Sequence, residues 1–339
     1  MLAIKTKNLT KKFDKLVAVD NLNLEITEGE LFGFLGPNGA GKTTTISMLC
    51  TILKPTSGSA KVWNYDIIKE QTKVRKSIGI VFQDPSLDDN LTGRENLEFH
   101  ARLYKVPKEI FKERMAELLE LMELSDRVDD LVKTYSGGMR RRLEIVRGLL
   151  HHPKVLFLDE PTLGLDPQTR IHIWKYIEKL NKSEKITMLL TTHYMHEADY
   201  LCNNIAIIDE GKTVALGTPT ELKTSLGGDV ITLTTGFSGK PSKKELLTLK
   251  NDLLRLKNVH TVNFLKDTLR LTATNGDRVI PWAMNVVRKT GVDIESVLLH
   301  EPTLEDVYIK YTGKQLRDEP EGKRGQFKRS LTPRGRFRH

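Results

Sequence analysis

Nine residues, GPNGAGKTT from Gly36 to Thr44, leave few folds open to this chain. They fit G-x-x-x-x-G-K-[ST], with Gly36, Gly41, Lys42 and Thr43 in the fixed places. A triphosphate carries several negative charges, and a loop that turns its backbone N–H groups inward can cradle them. Glycine permits the backbone angles and the close approach that such a cradle needs. Pro37, Asn38, Gly39 and Ala40 fill the loop, Lys42 can reach the β- and γ-phosphates, and Thr43, followed by Thr44, can offer a hydroxyl to Mg²⁺. The apolar run ELFGFLG before the loop reads as a buried strand, and KTTTISMLCTIL after it as a helix whose positive end faces the phosphates.

A length of 339 residues predicts about two domains. The formal charge is +9, but residues 322–339 hold seven Lys/Arg and no Asp/Glu. The remainder is therefore nearly neutral, and the basic character belongs to an expected disordered tail over 314–339. The two cysteines, Cys50 and Cys202, lie far apart with no CxxC spacing, which argues against a disulfide framework or a zinc site and for a reducing compartment. The start lacks the apolar core of a signal peptide, and no run approaches 18 apolar residues, so a membrane role is expected only through a partner.

LAIKTKNLTKKF and VAVDNLNLEI alternate loosely and predict two antiparallel strands. Phe13, in their connection, suits either stacking on a base or simple packing. IGIVFQD, Ile78 to Asp84, predicts a strand carrying Gln83 at its carboxyl end, where α/β sheets place ligands. A helical insert is expected over about 84–152. Within it Thr92 and Glu95 form a capping box, and Ile110, Phe111, Met115, Leu118, Leu119 and Met122 form an apolar stripe. Ser136, Gly137 and Gly138 would cap a helix starting near Met139, and a capped N-terminus is a second anion site. Arg140 to Arg142 reads as a solvated helix face.

KVLFLDEP predicts a buried strand ending in two acids. Asp159 suits a Mg²⁺ ligand, and Glu160 a base or water-orienting group. The plain alternative is a solvated turn. Asp166 precedes a helix, and His193 ends the strand ITMLLTTH; near a γ-phosphate it could donate a hydrogen bond, although a strand-end histidine is commonly structural. Thr218, Pro219 and Glu221 start a further helix. After Gly227 and Gly228 the order β-α-β-β-α-β predicts a ferredoxin-like module over 227–313, with a dimerisation or regulatory role.

The phosphate loop, Gln83, the SGG helix start, LFLDEP, GLD and His193 follow one another as in the nucleotide-binding subunits of ABC transporters. Residues 1–226 resemble that cassette, an α/β P-loop NTPase fold with a RecA-like core, an antiparallel β subdomain and a helical subdomain. The resemblance implies that Phe13 stacks on adenine and that Gly36 to Thr44 and Val155 to Asp159 are the Walker A and B segments. It implies that Glu160 polarises water, Gln83 senses Mg²⁺, Tyr135 to Met139 is the signature, Asp166 lies in the D-loop and His193 is the switch histidine. It further implies ATP and Mg²⁺ as cofactors and a head-to-tail homodimer in which each signature covers the other's nucleotide. Tyr135, Met139 and Phe13 depart from the commoner Leu, Gln and Tyr. YSGGMRRRL, EPTLGLDP and EPTLEDVYIKYTG resemble the daunorubicin-resistance branch, implying an exporter ATPase on the inner face of the cell membrane that works with a separate permease. A soluble ABC ATPase acting on nucleic acid or ribosomes is the competing reading. The basic tail points to it. The single Walker A segment opposes it, so no specific nucleic-acid partner is expected.

Overall fold

A computed structural model describes residues 1–236, 243–265, 268–290 and 292–313. The expected tail over 314–339 and the Lys266–Asp267 turn lie outside the described residues.

The first two strands are β1 (Leu2–Phe13) and β2 (Leu16–Thr27), antiparallel as expected. With β4 (Ser57–Val62) and β5 (Tyr65–Asp66) they make a sheet ordered β2-β1-β4-β5. Its buried face, with Ile4, Ile26 and Val62, packs on Phe32 and Phe34 of β3 (Leu31–Leu35). β3 lies inside a six-stranded sheet ordered β10-β9-β3-β8-β7-β6. The other members are β6 (Ile78–Val81), β7 (Val155–Asp159), β8 (Thr187–Thr192), β9 (Asn204–Asp209) and β10 (Lys212–Gly217). All its pairings are parallel except β9 with β10. All residues of β3, β7 and β8 are buried, because a parallel sheet is covered on both faces and its strands read as continuous apolar runs.

Leu31 and Leu35 face the opposite side, into a second core shared with the helices. α1 (Lys42–Leu49) follows β3 and α2 (Gln71–Ser77) leads into β6. The insert holds α3 (Gly93–Leu103), α4 (Lys108–Leu121) and α5 (Gly137–Leu149); α6 (Pro167–Glu184), α7 (Met195–Leu201) and α8 (Pro219–Thr224) follow. Both expected capping boxes form: Thr92 Oγ1 accepts the Glu95 amide at 3.1 Å, and Thr218 Oγ1 the Glu221 amide at 3.1 Å.

Four local expectations are corrected. Ile110 is 45% exposed and outside the buried stripe of α4. Arg114 is buried there instead, three residues after Phe111 on the same face, with its guanidinium forked onto Glu184 at 3.0 and 2.7 Å. α5 starts at Gly137 and not near Met139, because Ser136 is itself the N-cap and accepts the Met139 amide at 3.2 Å. β6 stops at Val81, two residues before Gln83, because the Phe82 carbonyl bonds the Arg141 side chain at 2.6 Å and leaves the ladder. Arg141, expected on a solvated face, is buried.

The C-terminal elements are β11 (Asp229–Gly236), α9 (Lys243–Leu254), β12 (Val259–Leu265), β13 (Thr268–Ala273), α10 (Gly276–Lys289) and β14 (Asp293–His300). Their antiparallel sheet, ordered β12-β13-β11-β14, is the ferredoxin-like arrangement the element order predicts. α11 (Leu304–Thr312) turns back: Leu304, Val307 and Tyr308 join the core that holds Leu201, Leu222 and Leu226.

One half-buried titratable group makes the helical layer sensitive to acid. His100 of α3 packs against Tyr104 and His151, with ring centroids 4.7 and 5.7 Å away, and its buried Nε2 has no hydrogen-bond partner among the described residues. Burial, then the nearby Arg147 charge, pull its pKa from 6.5 to about 3. The unfolded chain therefore binds a proton that the folded one refuses. The stability tied to His100 is complete above the unfolded value and is lost as pH falls from 6.5 toward 3, amounting to roughly 2 kcal/mol by about pH 5. Urea midpoints at neutral pH and near pH 5 should fall less for His100→Leu than for the unsubstituted chain; equal falls would remove His100 as a cause.

Candidate functional site

The loop from Gly36 to Gly41 lies between the buried end of β3 and the first turn of α1. Two glycines are dictated by space. A Cβ on Gly36 would stand 2.2 Å from the Ile208 carbonyl oxygen of β9, and one on Gly41 2.3 Å from that of Ala18. Gly41 also has a φ of 103°, which side chains rarely adopt. The loop is thus wedged between two backbones. Pro37, Asn38 and Gly39 form its tip, with Asn38 and Gly39 exposed; Ala40 is buried, Thr43 exposed and Thr44 half-buried.

Lys42 is buried inside the loop it follows. Its Nζ donates to the carbonyls of Gly36 at 2.8 Å and Pro37 at 3.1 Å, and stands 3.2 Å from Glu160 Oε1. The second oxygen of Glu160 meets His193 Nδ1 at 2.8 Å. One carboxylate thus joins an ammonium and an imidazole from two other segments. Burial lowers the Lys42 pKa against the opposing pull of Glu160. Burial acts to raise Glu160 but is overcome by the His193 hydrogen bond and the Lys42 charge, so its carboxyl sits below the usual value.

Asp159 ends β7, and its Oδ1 accepts the Thr191 hydroxyl and, at 3.2 Å, the Thr43 hydroxyl. Burial raises its pKa against both hydrogen bonds, and the neighbouring Glu160 charge adds to the rise. A hydroxyl and a carboxylate brought together at the foot of a phosphate loop are hard oxygen donors of the kind Mg²⁺ prefers, so these residues fit that ion. Glu160 itself has a φ of 46°, a left-handed conformation uncommon outside glycine. Its amide is held by the carbonyl and the hydroxyl of Thr191, at 3.1 and 3.0 Å.

A second group gathers separately. Asp166 caps α6, accepting the Thr169 amide at 2.9 Å. A Cβ on Gly138 would stand 2.5 Å from Thr169 Cγ2, and one on Gly137 3.3 Å from Leu165. Ser136, Gly137, Gly138 and Asp166 therefore lie on adjoining helix starts. Phe13 stands at the exposed end of β1 with Lys11 Nζ 4.9 Å from its ring centre, and Gln83 is exposed in the loop after β6.

Three residues here were not read as part of the site from the sequence. Thr191 bridges Asp159 and the Glu160 amide; the paired threonines that interrupt the apolar run just before His193 were the available sign. Glu197, fully buried, accepts hydrogen bonds from Thr162 Oγ1 at 2.7 Å and Trp174 Nε1 at 2.8 Å, joining the segments after Glu160, Asp166 and His193. Arg141 is the third, and three arginines in a row could have marked it, since consecutive positions on a helix cannot share one face.

A phosphate loop whose lysine faces an acid pair and a histidine, at the carboxyl ends of parallel strands, defines a nucleotide-binding α/β protein. The chain belongs to the ABC transporter family and is an ABC-type ATPase. The model of that family, "ABC transporter", matches residues 19–163, and "ATP-binding protein DrrA1-3-like, C-terminal domain" matches 217–312. The linearmycin resistance ATP-binding protein LnrL of Bacillus subtilis is 38% identical over 315 residues, covering 93% of this chain and 100% of that protein. The daunorubicin/doxorubicin resistance ATP-binding protein DrrA of Streptomyces peucetius is 41% identical over 312 residues, 92% of each chain. The Nod factor export ATP-binding protein I of Ralstonia nicotianae is 37% identical over 317 residues, 93% of this chain and 95% of that one. Among solved structures, the dimeric post-hydrolysis state of the ATP-binding cassette MJ0796 with ADP and Pi aligns with a TM-score of 0.57. It is 31% identical and covers 63% of this chain and 98% of that one.

Thr191→Val should separate packing from hydrogen bonding here. It leaves a buried carboxylate short of a donor, which costs about 1–3 kcal/mol. The urea midpoint should fall accordingly; an unchanged midpoint would mean that Asp159 does not depend on Thr191.

Proposed function

We propose that the protein is the ATP-hydrolysing subunit of an exporter, acting as a head-to-tail homodimer beneath a separate membrane permease on the inner face of the cell membrane. The observation that carries this reading is the division of the site into two groups on one chain. Lys42, Thr43, Asp159, Glu160 and His193 are linked by hydrogen bonds, whereas Ser136 to Gly138 and Asp166 lie together on other helix starts. A second copy, turned head to tail, would bring its own SGG tip to the first copy's phosphates. Names of relatives that refer to linearmycin and daunorubicin/doxorubicin resistance and to Nod factor export support the exporter class.

In this reading the loop amides and Lys42 hold the β- and γ-phosphates, and Phe13 stacks on the adenine. Thr43 and Asp159 would hold Mg²⁺, with Gln83 joining from its loop; the ion supplies charge neutralisation at the phosphate oxygens. Glu160, kept ionised, accepts a proton from the attacking water. His193 holds Glu160 in place and can turn its other ring nitrogen to the γ-phosphate. Phe99 and Leu103, 62% and 64% exposed on α3, and Phe82 beside Gln83, offer the permease an apolar contact.

Glu160→Gln tests the assignment. It keeps the shape and loses the base, so turnover should fall at least about 100-fold while ATP is retained. The variant should then elute as a dimer when ATP is present. Normal turnover would remove Glu160 from the chemistry, and an ATP-loaded monomer would remove the head-to-tail pair. Lys42→Ala should weaken nucleotide binding, read directly by equilibrium titration.

A further inference from the structure

The side chain of Arg141 is only 8% exposed, and it lies at the junction of three segments. Its Nε donates to the Pro161 carbonyl at 2.6 Å. Its Nη2 donates to the carbonyls of Asp159 at 3.0 Å and Glu160 at 2.9 Å. Its Nη1 donates to the Phe82 carbonyl at 2.6 Å and to Glu144 Oε2 at 2.9 Å. A guanidinium has five N–H donors in a fixed plane, and all five are used. Its charge partner among the described residues, Glu144, is also buried, and the other oxygen of that carboxylate accepts the Ser86 amide at 2.9 Å. One turn further along α5, Arg147 donates to the Ser86 carbonyl at 2.7 Å and also to its hydroxyl. Residues of α5 therefore hold the loop containing Gln83 at both ends, at Phe82 and at Ser86, and Arg141 also holds the turn containing Glu160.

The geometry of that turn gives the contact its meaning. At Glu160 the backbone is left-handed, and the carbonyls of Asp159, Glu160 and Pro161 all reach one guanidinium. The Glu160 carboxylate is aimed elsewhere, at Lys42 and His193. Side chain and carbonyls are coupled through the same uncommon backbone conformation, so whatever fixes the carbonyls fixes the direction of the carboxylate.

We infer that Arg141 is a positioning residue for hydrolysis: its fork holds the Glu160 turn in the conformation that aims the carboxylate, and ties that turn to the Gln83 loop. The inference rests on the role proposed for Glu160. Among the described residues Arg141 meets backbone carbonyls and Glu144, none of them expected to touch nucleotide, so its loss should appear in turnover and not in binding. Lysine cannot replace it, because one ammonium offers three donors from a single point and cannot span carbonyls on three successive residues and Phe82.

The test uses the purified full chain with Arg141→Met, Arg141→Lys, Glu160→Gln and the Arg141→Met/Glu160→Gln pair. ATP affinity is read by equilibrium titration and turnover by phosphate release. Both Arg141 variants should lose about 100-fold in kcat, the scale expected when a reacting group is misplaced by about 1 Å. Their ATP affinity should stay within about threefold of the unsubstituted chain. The double variant should turn over no more slowly than Glu160→Gln alone, because the two residues act through one group. Should Arg141→Met fail to fold, Arg141→Lys, which keeps charge and bulk, decides the matter. Turnover within about threefold of normal in Arg141→Lys overturns the inference, as does equal loss of affinity and turnover, or a further loss in the double variant. Normal turnover in Glu160→Gln would instead overturn the role given to Glu160, and is read separately.

Discussion

A single buried ion pair organises the centre of this molecule. Lys42 and Glu160 meet at 3.2 Å with side chains only 4% and 7% exposed. Taking two charges out of water costs several kcal/mol per ion, and mutual attraction alone seldom offsets it. Here the remaining hydrogen-bonding capacity is met as well, by the Gly36 and Pro37 carbonyls on one side and His193 on the other. Such a pair tolerates little displacement. It demands that the loop after β3, the end of β7 and the end of β8 be held in register, and the parallel ladders β3–β8 and β7–β8 supply that register. The sheet can thus be understood as the frame that keeps an ammonium and a carboxylate in contact.

The surrounding polar groups follow the same logic. Asp159 is buried beside Glu160, and two hydroxyls, from Thr43 and Thr191, stand on one of its oxygens. Glu197 is buried below and shared between Thr162 and Trp174. Asp159, Glu160 and Glu197 each draw side-chain partners from segments distant in sequence, so these acids join the strand ends to one another. A buried polar network of this kind resists partial rearrangement, because a half-satisfied member costs more than an apolar replacement would.

What could be read from the sequence was local. A phosphate cradle needs contiguous backbone amides, so Gly36 to Thr44 announces itself in nine residues. Continuous apolar runs gave β3, β7 and β8, and S/T-x-x-E spacings gave the starts of α3 and α8. The contacts that decide the chemistry are not local. Glu160 meets Lys42 from 118 positions away and His193 from 33, as their numbering gives directly. The left-handed turn at Glu160 has no signature in a window of ten residues, and the run Arg140 to Arg142 shows only that one of the three must turn inward, not what it meets. Ile110 and Arg114 make the same point: apolar character put Ile110 on the stripe, but the carboxylate of Glu184, 70 positions on, makes the buried site suit an arginine. The sheet order also escaped local reading: β10 follows β9 through a tight turn, but the order of β9, β3, β8, β7 and β6 is fixed by crossovers.

The C-terminal part shows where sequence units and packing units diverge. The match to the DrrA-like C-terminal domain spans residues 217–312, and the β-α-β-β-α-β order within it closes at β14. α11 continues past that closure and leaves the core that holds Ile231, Leu233 and Leu271. Its Tyr308 hydroxyl donates to Asp209 at 3.2 Å, and its Lys310 to the Ser225 carbonyl at 2.6 Å. Asp209 ends β9, and the preceding carbonyl, that of Ile208, is the one that leaves no room for a Cβ at Gly36. From the last helix to the phosphate loop the path is one side-chain hydrogen bond and one backbone contact. The ferredoxin-like sheet is therefore anchored to the strand that walls the nucleotide loop, and does not hang from the linker at Gly227 and Gly228 alone.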